Sequence, residues 1–108
     1  MNEMNLMFRS TRNEAHQVTA SQAALKGLAP DGGLFVPEQI PVLDFPTKEL
    51  AQMNYHETAY AVMKQFLTDY TEEELKYCIR MAYDEKFDTQ EIAPVKKADG
   101  RFYLELFH

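Results

Sequence analysis

The segment Lys26–Pro37, KGLAPDGGLFVP, constrains the fold of this chain more than any other stretch. It holds three of the four glycines and two of the five prolines. Pro30 fixes the backbone φ angle at the start of a tight turn, and the Asp31 side chain can bond the backbone ahead of it. Gly32 and Gly33 permit a positive φ, or close packing where a Cβ would not fit. We therefore predict a rigid turn that delivers the apolar residues LFV as a buried segment. Turns of this kind are most often purely structural.

Two short elements precede this turn. Residues 4–12, MNLMFRSTR, begin apolar and become polar, which predicts a short strand that presents three polar residues where it ends: Ser10, Thr11 and Arg12. Val18–Gly27 is predicted to be a short helix. Thr19 and Gln22 have the spacing of a capping box at its start, and Gly27 ends it.

The stretch Pro37–Pro46, PEQIPVLDFP, carries three prolines and is predicted to be neither a helix nor a central strand. We expect an extended connector whose apolar side chains, such as Ile40, pack inward. Thr47 is then expected to cap one or two helical turns that run through Met53.

Two amphipathic helices follow. Asn54–Leu67 has apolar residues at the spacing of one buried helix face, with Asn54 and Glu57 as its capping pair. A second helix is predicted from Thr71 to about Tyr83, and its apolar stripe comprises Leu75, Cys78, Ile79, Ala82 and Tyr83. The short connection predicts an antiparallel helix pair.

The last segment changes to strand periodicity. Ile92–Val95 is predicted to be an edge strand because it contains Pro94. Asp99-Gly100 is a two-residue turn signal, and Phe102–Phe107 alternates as a second strand. The pattern as a whole predicts an α+β fold with short strands, a C-terminal β-hairpin and an antiparallel helix pair. An apolar strand two residues before the end also leads us to expect that the biological protein continues beyond His108.

Composition excludes several classes of function. With 108 residues the chain suits one domain, and its net charge of −6 argues against non-specific binding to nucleic acid or to an anionic membrane. One cysteine, Cys78, fits a reducing cytoplasm, and its helical position predicts a core residue. The three histidines, His16, His56 and His108, lack metal-ligand spacing, so we expect no metal site.

Three separated segments together resemble a known family. They are Ser10-Thr11-Arg12, the stretch from Gly27 to Pro37 and the terminal Glu105-Leu106-Phe107-His108. Their order and approximate spacing resemble the N-terminal region of threonine synthase across all 108 residues.

The resemblance implies specific chemistry for a complete enzyme. Threonine synthases are pyridoxal-phosphate enzymes of the tryptophan synthase β-subunit fold type that convert O-phosphohomoserine and water to threonine and phosphate. In that family the cofactor-binding lysine follows the segment that ends this chain. Residues 1–108 are therefore expected to form one N-terminal domain that ends just before the catalytic domains of the same polypeptide, with no bound cofactor and no activity alone.

The resemblance also implies where an active-site edge would lie. Its residues would be Ser10, Thr11, Arg12, Glu105, Phe107 and His108, and the structural motif would comprise Gly27, Pro30, Asp31, Gly32, Gly33 and Pro37. Arg12 could contact the substrate phosphate, although a surface or structural ion pair is the simpler explanation of one arginine near a motif. The alternative function is a free-standing, non-catalytic module that binds a partner protein.

Overall fold

The computed structural model of the chain describes residues 5–13, 15–84 and 92–106. Its elements in chain order are β1 (Phe8–Ser10), β2 (Gln17–Val18), α1 (Ala20–Lys26), β3 (Phe35–Pro37), a 3₁₀ helix (Thr47–Gln52), α2 (Tyr55–Phe66), α3 (Glu72–Ala82), β4 (Val95–Ala98) and β5 (Arg101–Leu104). Short strands, a hairpin and a helix pair form the predicted α+β fold.

A small antiparallel sheet has β1 at its centre, in the order β2-β1-β3. Phe8 lies opposite Val18 on one side and opposite Pro37 on the other. Pro37 ends β3, which is an edge strand. An edge strand tolerates proline because no neighbouring strand needs an N–H donor on its outer side. The predicted buried segment after the turn is wrong in part, because Leu34, just before β3, and Val36 within it are exposed.

Helix α1 begins at Ala20, directly after the predicted N-cap Thr19, and its predicted caps are confirmed, while Val18 at the start of the predicted range lies in β2. The Thr19 side chain accepts a hydrogen bond from the Gln22 N–H, the Gln22 side chain accepts one from the Thr19 N–H, and Gly27 is the C-cap with φ +77°. The Ser21 N–H donates to the Asp69 carboxylate at 3.3 Å, which attaches α1 to the connection between α2 and α3.

The proline-rich connector is irregular, as predicted, but the predicted inward packing of Ile40 is wrong. Its side chain is 75% exposed, whereas Leu43 and Phe45 are half-buried. The prediction that Thr47 caps the next helix is also wrong. Pro46 occupies the N-cap position, and no side chain supplies a capping hydrogen bond there.

Helices α2 and α3 form the predicted antiparallel pair, each with its predicted capping box. The direction follows from their ends: the Tyr55 and Tyr83 rings lie 5.0 Å apart, and the His56 ring contacts the Tyr83 carbonyl oxygen. Leu75 and Ile79 are buried between the helices. The prediction that Cys78 is a core residue is wrong, because α3 packs along a narrow line and Cys78 lies exposed beside it.

Strands β4 and β5 form the predicted hairpin, and Asp99 (φ +52°) and Gly100 (φ +74°) adopt the left-handed backbone that its tight turn requires. The predicted strand Ile92–Val95 is wrong. Pro94 precedes the observed strand, and its carbonyl oxygen accepts a hydrogen bond from the Glu105 N–H. The predicted second strand also ends early, at Leu104.

Among the described residues, the buried apolar core is small. It comprises Val18, Ala20, Ala29, Ala61, Leu75 and Ile79. Several large apolar side chains remain exposed, including Leu25, Leu28, Phe102, Leu104 and Leu106. Among the residues described, no helix is long and apolar enough to cross a membrane.

Candidate functional site

The end of β1 and the Gly-Pro turn lie against each other because β1 pairs with β3. Ser10 is opposite Phe35 in the sheet register, so the residues after Ser10 meet the residues before Phe35. The Thr11 N–H donates to the Leu34 carbonyl oxygen at 2.9 Å, and the Leu34 N–H donates to Thr11 Oγ1 at 3.1 Å. Two segments that are about twenty residues apart in the sequence therefore form one cluster.

The turn itself has the predicted geometry. The Gly32 N–H donates to the Ala29 carbonyl oxygen at 2.9 Å, and the Ala29 N–H donates to the Gly33 carbonyl oxygen at 2.9 Å. Gly32 has φ +85°, which confirms the prediction that at least one of the two glycines has a positive φ. Pro30 lies inside this doubly bonded turn, where its fixed φ angle stiffens the backbone.

Asp31 and Ser10 form the centre of the cluster. Ser10 is 2% exposed, and its hydroxyl donates to Asp31 Oδ1 at 2.7 Å while its oxygen accepts the Arg12 N–H at 3.1 Å. The Gly33 N–H donates to the same Asp31 oxygen at 3.0 Å. The bonds from Ser10 and Gly33, with the nearby Arg12 charge, lower the pKa of Asp31 below its ordinary value. The carboxylate is therefore ionised at neutral pH.

A side chain at position 33 would collide with the cluster, which explains why this position is a glycine. A Cβ at this position would lie 2.8 Å from Thr11 Oγ1 and 3.1 Å from Asp31 Oδ1, and closer still to Ser10 Oγ. Gly33 thus allows the turn to approach the end of β1 closely enough for all of these hydrogen bonds.

The Arg12 side chain is exposed, and it donates a hydrogen bond to an uncharged backbone carbonyl group. Its Nη1 donates to the Asp31 carbonyl oxygen at 3.1 Å, while the Asp31 carboxylate bonds Ser10 and Gly33 instead. Within residues 5–13, 15–84 and 92–106 this is the one hydrogen bond of the Arg12 side chain. Gly32 makes room for it, since a Cβ there would lie 2.9 Å from Arg12 Nη1. The guanidinium therefore has a fixed position and several unused N–H donors.

The remaining predicted site residues lie elsewhere or cannot be placed. Gly27 ends α1, and Pro37 ends β3 opposite Phe8. Glu105 follows β5 and is half-buried. Phe107 and His108 lie outside the described residues, so their position at an active-site edge stays a prediction.

The sequence does not predict the Ser10–Asp31 hydrogen bond. Asp31 bonds its own turn through the Gly33 N–H, as predicted, but its second partner lies 21 positions away. A serine that ends a central strand is a weak signal, because the pattern does not say which turn will cover it.

The cluster is suited to binding rather than to nucleophilic chemistry. The Ser10 hydroxyl is 2% exposed, so a substrate cannot reach it for nucleophilic attack in this structure. No group of three or more histidine, cysteine or acidic residues in the described part of the chain could hold a metal ion. The exposed Arg12 guanidinium is the group in the cluster that could bind an anion.

Comparison with known proteins agrees with the resemblance found in the sequence. A family model described as the threonine synthase N terminus matches residues 7–83, which include the whole cluster. The chain belongs to the threonine synthase family. Threonine synthase from Pseudomonas aeruginosa is 34% identical over 108 residues, which cover 95% of this chain and 22% of that protein.

Other relatives show the same partial coverage. Threonine synthase from Saccharomyces cerevisiae is 30% identical over 94% of this chain and 22% of its own length. Human threonine synthase-like 1 is 40% identical over 82% of this chain and 12% of its own length. The crystal structure of yeast threonine synthase superposes with a TM-score of 0.74 at 28% identity, covering 87% of this chain and 19% of that one. The chain thus spans about a fifth of the length of the threonine synthases it matches.

Proposed function

We propose that these 108 residues are the N-terminal domain of a longer threonine synthase. The complete polypeptide would convert O-phosphohomoserine and water to threonine and phosphate, in the cytoplasm. The observation that carries this proposal is the match of nearly the whole chain to the N-terminal fifth of threonine synthases, including the interlocked Ser-Thr-Arg and Gly-Pro segments.

The pyridoxal phosphate that this activity needs would be held by the rest of the polypeptide. When bound, this cofactor stabilises carbanionic charge on an amino-acid substrate. The described residues do not fit it, because the cofactor requires a sheltered lysine and all six described lysines are exposed: Lys26, Lys48, Lys64, Lys76, Lys96 and Lys97. We therefore assign no step of the reaction to a lysine of this chain, and we propose that the domain alone is inactive.

The β4–β5 hairpin is proposed to dock against the catalytic domains of the same polypeptide. All eight of its strand residues are exposed, and Phe102 is 72% exposed. A two-stranded hairpin is marginally stable without a surface to pack on. Leu104 and the following Leu106 extend this apolar patch along the chain, so docking would bury several large side chains at once.

Within the complete enzyme we propose that the Ser10–Asp31 cluster forms part of the active-site edge, with Glu105, Phe107 and His108. Arg12 would contact the phosphate group of the substrate, since a guanidinium matches the geometry of a phosphate. The support is that Arg12 is exposed, fixed by a neutral carbonyl oxygen and given space by Gly32.

Two experiments test the assignment to a longer enzyme. The gene downstream of the His108 codon should continue in frame through Gly-Pro-Thr to a lysine codon, whereas a stop codon would support the free-standing module. A chimera with this chain in place of the aligned segment of Pseudomonas aeruginosa threonine synthase should release phosphate from O-phosphohomoserine. A folded, cofactor-loaded chimera without activity would contradict the proposal.

The role of Arg12 is tested in the same chimera. Arg12→Gln should raise KM for O-phosphohomoserine roughly tenfold or more with a smaller change in kcat, because a charge-assisted hydrogen bond contributes about 1.5–3 kcal/mol. Arg12→Lys should restore part of the loss. Arg9→Gln is the matched control, since Arg9 Nη2 also donates to a backbone carbonyl oxygen, that of Glu38. Equal effects of the two glutamine variants would show that Arg12 has only a structural role.

A further inference from the structure

A cleft of about 520 Å³ lies between the 3₁₀ helix, α2 and α3, away from the Ser10–Asp31 cluster. Its apolar walls come from Phe45, Met53, Ala61 and Ile79. The volume falls in the range of about 300–1,000 Å³ that small-molecule sites occupy. The cleft is therefore large enough to enclose the body of a small organic molecule.

Three cationic side chains also line the cleft. The ammonium groups of Lys64 and Lys76 lie 5.5 and 4.9 Å from the centroid of the same aromatic ring, that of Tyr60, and Arg80 is one helical turn beyond Lys76. Lys76 is paired with Glu72 at 2.6 Å. Lys64 and Arg80 form no salt bridge within the parts of the chain that the structure describes, although Lys64 is close enough to Glu72 to help lower the pKa of that carboxyl. Among the described residues, Lys76 is thus the one cation of the lining that is paired at contact distance.

Two carboxylates line the cleft beside these three cations. Glu57 accepts the Asn54 N–H at 2.9 Å where α2 begins, and Glu49 comes from the 3₁₀ helix. The lining therefore has more cationic than anionic side chains, although the whole chain has a net charge of −6.

We propose that this cleft binds a small organic anion, with an apolar body against Met53 and Ile79 and one anionic group near Lys64 and Arg80. The size and the apolar walls select the body, and the excess of cationic over anionic side chains in the lining selects the sign of the charge. This binding site is independent of the activity proposed above, because none of its residues belongs to the Ser10–Asp31 cluster.

A matched pair of probes tests the proposal on the chain itself. 1-Anilinonaphthalene-8-sulfonate carries an apolar body and one sulfonate, and N-phenyl-1-naphthylamine has the same body without the charge. We expect saturable binding of the sulfonate, with an affinity that falls as salt rises, and weaker, salt-independent binding of the neutral probe. Equal affinities or equal salt dependence would overturn the proposal.

Isoleucine methyl labelling locates the probe. Ile79 lines the cleft, and the other two isoleucines, Ile40 and Ile92, do not. Ring currents of the bound sulfonate probe should shift the Ile79 methyl signals and leave those of Ile40 and Ile92 in place. A larger shift at Ile40 or Ile92 would place the binding elsewhere and contradict the assignment.

Charge removal tests which side chains recognise the anion. Lys64→Gln with Arg80→Gln should weaken binding of the sulfonate about five- to tenfold, as expected for two partly exposed ion pairs, and should leave the neutral probe unaffected. Lys48→Gln, an exposed lysine of the 3₁₀ helix outside the lining, is the control. A comparable loss in the control would overturn the proposal. If the double variant unfolds, each single variant and the salt titration provide the same decision.

Discussion

At the scale of single residues, the chain needs glycine for two different reasons: for space at Gly33 and for a positive φ at Gly27. Gly33→Ala should lower the free energy of unfolding by about 1–3 kcal/mol, because its Cβ would overlap Ser10 Oγ and Thr11 Oγ1 in a packed cluster. Gly27→Ala is the opposite case: no atom lies within 4 Å of its Cβ, but φ +77° strains the backbone of an alanine by about 1–3 kcal/mol. Urea unfolding of both variants measures the difference. A Gly33→Ala protein as stable as the wild type would show that the close approach is not required.

Asp31 should give the stability of the chain a dependence on acidic pH. Its pKa is lowered in the folded state by the Ser10 hydroxyl and the Gly33 N–H, so its contribution is fully present above the unfolded pKa of about 4. That contribution is lost as the pH falls through the lower, folded pKa. Asp31→Asn should be less stable at pH 7 and should approach the wild type in acid. Thermal unfolding between pH 7 and pH 2 measures this, and a constant difference across that range would contradict it.

At the scale of elements, the helix pair was the most predictable part of the fold. Capping boxes at Asn54 and Thr71 set where the helices begin, and the apolar spacing indicated which faces meet. Periodicity could not rank the residues within a stripe. Ile79 is buried while its neighbour Cys78 is exposed, because the contact between two short helices is narrower than the stripe. Phe66 lies among the apolar residues of the predicted α2 helix and is half-buried, which is compatible with the predicted pairing.

The difference in burial between Ile79 and Cys78 predicts different losses of stability when each is mutated. Ile79→Ala should lower the free energy of unfolding by about 2–5 kcal/mol, because it leaves a cavity between the helices. Cys78→Ala should change it by less than about 0.5 kcal/mol, as surface substitutions usually do. Chemical unfolding followed by circular dichroism compares the two variants. Similar losses would mean that α3 packs on a different face.

At the scale of the whole molecule, the sequence predicted the fold class and the two segments that form the cluster, but not how they bond. Local signals locate caps and turns, since those depend on neighbouring residues. The Ser10–Asp31 bond depends on β1 pairing with β3, which is a non-local choice. The exposure of Leu34, Ile40 and Phe102 was also unpredictable from pattern, because apolar residues normally predict a core. A longer enzyme that covers these side chains would explain why the pattern and the exposure disagree.

The chain alone should have no threonine synthase activity and should react with pyridoxal phosphate without selectivity. A reactive lysine needs a sheltered, partly deprotonated amine. The six described lysines are exposed, and the hydrogen bond that Lys76 donates to the Glu72 carboxylate raises the pKa of Lys76, which keeps that amine protonated. Lys86, the seventh, lies outside the described residues.

Titration of the purified chain with the cofactor, followed by borohydride reduction and peptide mapping, measures this. We expect label spread over several lysines, no saturation at one equivalent and no phosphate released from O-phosphohomoserine. The P. aeruginosa chimera described above is the positive control, since it contains the catalytic domains. A single lysine labelled at one equivalent, together with phosphate release, would place the catalytic site within these 108 residues. That result would contradict the proposal that the rest of the polypeptide holds the cofactor.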